Sequence, residues 1–207
     1  MSSNTPSKIA VTGATGFIGR HLVDRLRQDG HTVYEIGRNM QPVKCDIIYH
    51  LACPSTTQEI KTDPCRIMDI IMDVTRSAMM IDPDAMFVNA SSMGALTIDN
   101  SIQGCYNVAK RCMETYLAHS NRPYLNYRLP SVYGPGVHDD TFIKRCIDKV
   151  AYYPEEPNKL HYVAHITEVV DALATLRPVD IEEITLGEIY EQFNSGRRGL
   201  HRPTSST

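Results

Sequence analysis

Short apolar runs alternate along this chain with longer segments whose apolar residues recur every three or four positions. Residues 8–13 (KIAVTG) form an apolar run ending in glycine, which predicts a buried strand. In residues 17–30, Ile18, Leu22 and Leu26 recur at helical spacing and Gly30 supplies a C-terminal stop, so a helix is expected. Residues 31–36 (HTVYEI) and 46–52 (DIIYHLA) predict a second and a third strand. Asp63 and Pro64 open a Met- and Ile-rich helix that runs to about residue 81. A fourth strand over 85–90, a helix over 104–119 and a fifth strand over 124–129 follow. Strands that alternate with helices imply a parallel sheet covered on both faces. After residues 133–136 (YGPG) the pattern loosens. A helix over 141–150, a loop over 152–158, a short strand over 161–165 and helices over 166–176 and 186–193 are expected there. The last residues, 195–207, read as a mobile polar tail.

Composition narrows the class. The chain has 207 residues, 42% hydrophobic and 22% charged, which suits one soluble globular domain with a small appendage. A net charge of −3 gives no basic field for nucleic acid. No apolar run has the length of a membrane span. The N-terminal MSSNTPSK lacks the apolar core of a secretory signal and reads as flexible. The six cysteines form no C-x-x-C pair, so reduced thiols in the cytoplasm are expected. His161 and His165 lie four apart, but no glutamate stands in H-E-x-x-H register, and a metal site is not expected.

Two motifs carry chemistry. The stretch TGATGFIG places Gly13, Gly16 and Gly19 between a strand and a helix. Glycines there let backbone approach a pyrophosphate, and the helix N-terminus adds free N–H groups and the positive end of its dipole. A glycine triplet alone is weak; the strand before it and the helix after it make it a dinucleotide-binding signal. The second motif is CYNVAK, with Tyr106 and Lys110 four apart on one helix face. A phenol near pKa 10 is a poor base at neutral pH, and a neighbouring ammonium lowers that value. NASSMG ends the preceding strand with Ser91 and Ser92, which offer a hydroxyl.

With VTGATGFIG, DIIYHLA, ASS, YNVAK and YRLPSVYGPG in this order, the chain resembles the extended branch of the short-chain dehydrogenase/reductase superfamily. YHLACPS and CYNVAKRCMET are most similar to the UDP-glucuronate decarboxylases. The resemblance implies a Rossmann-type doubly wound α/β fold. A dinucleotide-binding domain would span 8–133 and a reduced substrate lobe 134–194, with a flexible 1–7 ahead of them. It implies Tyr106 as base, Lys110 as its partner and Ser92 as the hydroxyl, with Leu96 where the family's usual strand-end tyrosine stands. Gly13, Gly16, Phe17, Ile18, Gly19, Arg38, Leu51, Ala52 and Lys110 would hold the cofactor. Ser92, Tyr106, Arg128 and Lys159 would meet a nucleotide-sugar substrate. A homodimer through the helices over 63–81 and 104–119 is implied as well.

The departures from that family bear on the reaction. Its NAD-binding members carry an acid near the end of the second strand; Gly37 and Arg38 stand here, which favours NADP over NAD. Only GRNMQPVKC separates the second strand from DIIYHLA, so one edge strand of the sheet is expected to be missing. Gly94 stands where the decarboxylases have a glutamate, and the arginine expected on the diphosphate falls near Asn158, beside Lys159. Decarboxylase, 4-epimerase and keto-sugar reductase remain open within the enzyme class. A non-catalytic dinucleotide-binding module is the reading outside it.

Overall fold

The structure is a computed structural model and describes residues 5–53, 63–97, 104–139, 141, 160–185 and 188. The elements in chain order are β1 (Lys8–Thr12), α1 (Phe17–Gln28), β2 (Thr32–Ile36), β3 (Ile47–His50), α2 (Pro64–Met79) and β4 (Met86–Ser92). A 3-10 turn (Met93–Leu96), α3 (Gly104–Ala118), β5 (Tyr124–Leu129), β6 (Ser131–Tyr133), β7 (Leu160–His165), α4 (Ile166–Ala174) and β8 (Glu182–Thr185) follow.

β1 to β5 form one parallel sheet in the order β2-β1-β3-β4-β5. Strand alternation divides the core in two. Ile9 and Val11 of β1 face Leu22, Val23 and Leu26 of α1 and Val169, Val170 and Leu173 of α4. Ala10, Ile48 and Phe87 point the other way, onto Ala78 of α2 and Leu117 of α3. The sheet is therefore wound on both faces, as the strand–helix alternation predicts. Among the described residues β2 pairs with β1 alone, so it forms the edge that the short connection over 37–46 predicts.

Residues after β5 return to this core. The Tyr49 hydroxyl donates to Leu173 O at 2.9 Å, and Arg25 of α1 bridges to Asp171 of α4 at 2.7 Å. β6 pairs parallel with β7, and β7 antiparallel with β8. The helix–strand reading of the sequence contains neither β6 nor β8. Pro130 breaks what would otherwise read as one strand and starts β6, and EEIT carries two glutamates that mask the apolar alternation of β8. The helices expected over 141–150 and 186–193, the tail over 195–207, Asn158 and Lys159 lie outside the described residues, apart from the single positions Thr141 and Glu188.

Candidate active site

β1 runs into Gly13, whose φ of +67° is open to glycine at little cost. A Cβ at Gly13 would stand 2.7 Å from Ala52 N and 2.8 Å from the Leu51 carbonyl carbon, so the loop lies directly against the exit of β3. Gly16 N donates to Gly13 O at 2.9 Å and closes the turn. A Cβ at Gly19 would overlap Gly13 O and come within 2.9 Å of Ala14 Cα. Gly16 is the N-cap of α1 and no side chain caps that end. The first-turn N–H groups, those of Phe17 and Ile18 among them, are thus left for an anion, with the dipole's positive end behind them. The missing side chains of Gly13, Gly16 and Gly19 let the backbone pack this closely beside a free helix N-terminus, which fits a pyrophosphate.

A buried hydrogen-bond chain holds the cradle to the neighbouring strand. Ala52 N–H donates to Thr12 Oγ1 at 3.2 Å, and Thr12 Oγ1 lies 2.9 Å from His50 Nδ1. On the other side of the ring, His50 Nε2 lies 3.2 Å from Thr75 Oγ1, whose own hydrogen goes to Ile71 O at 2.7 Å. Thr75 must therefore accept, which assigns the proton to Nε2 and leaves Nδ1 to accept from Thr12. Burial, with Lys110 adding to it, pushes the imidazole down to about 3, so His50 is a neutral strut. Leu51 N completes the junction by donating to Thr12 O at 3.3 Å.

β4 and α3 bring Ser92, Tyr106 and Lys110 together. Lys110 is 3% exposed, its Nζ donates to Ala90 O at 2.8 Å and lies 5.6 Å from the Tyr106 ring centre. Ser92 Oγ accepts from Gly94 N–H at 3.1 Å, which leaves its own hydrogen for the Tyr106 phenol it faces. Cys53 stands against both Tyr106 and Lys110, and sequence reasoning did not single it out. Only the closing of β3 beside β4 puts residue 53 next to residue 106. The ionisation of Tyr106 departs from expectation. Burial raises its pKa, and that effect outweighs the pull of Lys110 in the opposite direction. The phenol therefore rests protonated at neutral pH and acts as a base only after giving up its own proton, which a further positive charge beside it favours.

Arg128, expected at the substrate, has its fork on Glu114 of α3: Nε to Oε1 at 2.9 Å and Nη2 to Oε2 at 2.7 Å. Ser91 Oγ donates to the same carboxylate at 2.6 Å. Glu114 is two turns along the face that carries Tyr106 and Lys110, so the clamp fixes that helix to β4 and β5. Burial alone would raise the Glu114 pKa, but Arg128 and Ser91 outweigh it and the carboxyl is held below its usual range. A depressed carboxylate contributes stability that is present above its unfolded pKa and lost as pH falls through the folded value. Glu114→Gln is expected to cost about 1–2 kcal/mol at pH 7 and much less at the acid end, read as urea midpoints across that range. An equal loss at every pH would contradict the clamp. Arg38 is exposed just after β2, a Cβ on Gly37 would meet open space, and Leu96 is 54% exposed.

Known proteins resemble this chain in sequence and in fold. UDP-glucuronic acid decarboxylase 6 of Arabidopsis thaliana is 24% identical over 235 residues, covering 84% of this chain and 66% of the relative. The chain thus spans just under two thirds of that protein. The structure of UDP-glucuronic acid 4-epimerase from Bacillus cereus, in complex with UDP-glucuronic acid and NAD, superposes with a TM-score of 0.72 at 17% identity, over 91% of this chain and 82% of that one. RMD from Pseudomonas aeruginosa, complexed with NADPH, gives 0.69 at 18%, over 90% and 80%. Both share the fold. The family model that matches the sequence spans residues 9–173, from β1 to α4, and by that match the chain belongs to the NAD dependent epimerase/dehydratase family.

Proposed function

We propose that the chain acts on a nucleotide sugar with a bound nicotinamide dinucleotide, oxidising the sugar's C4 hydroxyl as a UDP-glucuronate decarboxylase would. The observation that carries this reading is the meeting of Ser92, Tyr106 and Lys110 at the end of β4, together with a glycine-lined turn at the free N-terminus of α1. When bound, the dinucleotide supplies the hydride acceptor. Gly13, Gly16, Gly19 and the first turn of α1 hold its pyrophosphate. Lys110 places a fixed cation beside the Tyr106 phenol, and Ser92 donates to the same oxygen, so both stabilise the phenolate when the substrate proton is taken. In a uronic acid, a ketone at C4 is β to the carboxylate on C5. The C5–carboxylate bond then breaks with its electrons flowing into that carbonyl, CO₂ leaves and a proton adds at C5; return of the hydride to C4 would give the UDP-pentose, and keto product that escapes before that return would leave reduced dinucleotide behind. Gly94 offers no acid to assist, so decarboxylation is slow rather than absent.

Incubation with UDP-glucuronate and oxidised cofactor, followed for CO₂ and for UDP-sugars by mass, tests this reaction. A UDP-pentose with CO₂ supports it. Clean conversion to the C4 epimer without CO₂ would assign a 4-epimerase instead.

A second reading, reduction of a keto-sugar with NADPH as donor and the Tyr106 phenol as proton source, is favoured by exposed Arg38 with no acid at Gly37. That arginine bears on the cofactor in either reading. NADP is expected to bind more tightly than NAD, and Arg38→Ala to weaken NADP by about tenfold with NAD unchanged, measured by calorimetry. Tighter NAD binding that ignores Arg38→Ala would reverse the preference.

We further propose a homodimer through α2 and α3. These helices pack on each other through Ile67, Ile71, Ala109 and Met113, while Tyr116 stays 44% exposed. Light scattering on the eluting protein should give twice the mass of 23.3 kDa, and Tyr116→Glu should return it to one.

A further inference from the structure

Gly94 is the second residue after Ser92, in the 3-10 turn that follows β4, and its N–H is bound to the Ser92 hydroxyl. Its φ is not positive, so the backbone there does not require glycine. A side chain there would displace a neighbouring one. A Cβ on Gly94 would stand 2.9 Å from Asn107 Cγ and 3.3 Å from Nδ2, with Oδ1 closer still. The Asn107 amide, rising from the first turn of α3, thus fills the space where a residue-94 side chain would begin. Asn107 follows Tyr106 in the chain and is half-buried. Among the described residues no hydrogen-bond partner takes its amide.

We infer that Asn107 is a specificity-determining residue, selecting a sugar that carries a carboxylate beside the reacting carbon. The inference rests on the nucleotide-sugar reading above. The charges around Ser92 and Tyr106 lead to it. Lys110 is buried and its ammonium is retained, while the nearby carboxylate of Glu114 is neutralised by Arg128. Gly94 contributes no side chain, and Asn107 contributes a neutral amide with two N–H donors. An anionic substituent placed against Asn107 would meet a hydrogen-bond donor near the Lys110 cation, without a side-chain carboxylate at position 94. A neutral hydroxymethyl group at the same carbon gains little from either. The wall therefore favours a uronate over a neutral hexose.

Asn107→Asp keeps the shape and adds one negative charge. It is expected to weaken UDP-glucuronate by at least about tenfold and UDP-glucose by less than about threefold. Both affinities are measured by calorimetry on protein loaded with oxidised dinucleotide. Gly94→Ala should push the amide aside and lower the preference for UDP-glucuronate over UDP-glucose without adding charge; its melting temperature reports whether the turn survives. Should Asn107→Asp fail to fold, Asn107→Ala carries the test through loss of the donor. Equal losses for both sugars, or no loss for either, would overturn the inference and leave the nucleotide-sugar reading standing. A wild-type protein that binds neither sugar overturns that reading, and the inference with it.

Discussion

Tyr106→Phe is expected to leave the fold and dinucleotide affinity intact and to lower turnover by about 10²–10⁴-fold. The ring keeps its place in the cluster with Ile67, Ile71, Ala109 and Met113, so only the ionisable oxygen is lost. That oxygen is the one atom faced by Ser92 and Cys53 and drawn by the Lys110 charge. Melting temperature and calorimetric affinity should match wild type while kcat falls. The pH profile adds a second check. Burial raises the phenol's pKa, so oxidation of a hydroxyl should accelerate as pH rises toward that value, and reduction of a ketone should slow. A Tyr106→Phe enzyme with near-normal turnover would end the assigned role.

Gly19→Ala is expected to lose about 10²-fold in dinucleotide affinity. The added Cβ would overlap Gly13 O, a backbone atom of a residue that packs closely on the exit of β3. Neither side can rotate away, so the first turn of α1 or the loop must shift. Overpacking of this kind costs about 1–3 kcal/mol in stability as well. The test is a pair of measurements, urea midpoint and affinity for oxidised cofactor. A larger loss in binding than in stability supports the cradle, whereas unchanged binding would contradict it. Gly30→Ala serves as the control, because its Cβ would meet nothing within 4 Å, although its φ of +88° carries strain of its own.

The sheet was legible because apolar alternation writes itself into short runs: Ile9, Val11, Ile48 and Val88 are all buried where the strand pattern puts them. The glycine loop was legible because it needs three missing side chains in a row of fixed spacing. Tyr106 and Lys110 were legible for a similar reason, as one helix turn separates them. What escaped were contacts between elements. No spacing rule joins Cys53 to Tyr106, Arg128 to Glu114, or Asn107 to Gly94, since each pair meets only after β3, β4 and β5 are set side by side. The direction of the Tyr106 shift escaped because burial is a property of the packed site, and the sequence displays only the lysine that opposes it. β8 escaped because its glutamates make an exposed edge read as loop.

Oxidation of a nucleotide sugar at C4 is the chemistry proposed for this site. It is tested most directly by mixing the protein, loaded with oxidised dinucleotide, with UDP-glucuronate and following the near-ultraviolet absorbance of reduced nicotinamide. The account predicts a rise in wild type that is absent in Tyr106→Phe. No rise in wild type, with UDP-glucuronate bound and recovered unchanged, would contradict that oxidation and leave keto-sugar reduction or a dinucleotide-binding module without catalysis.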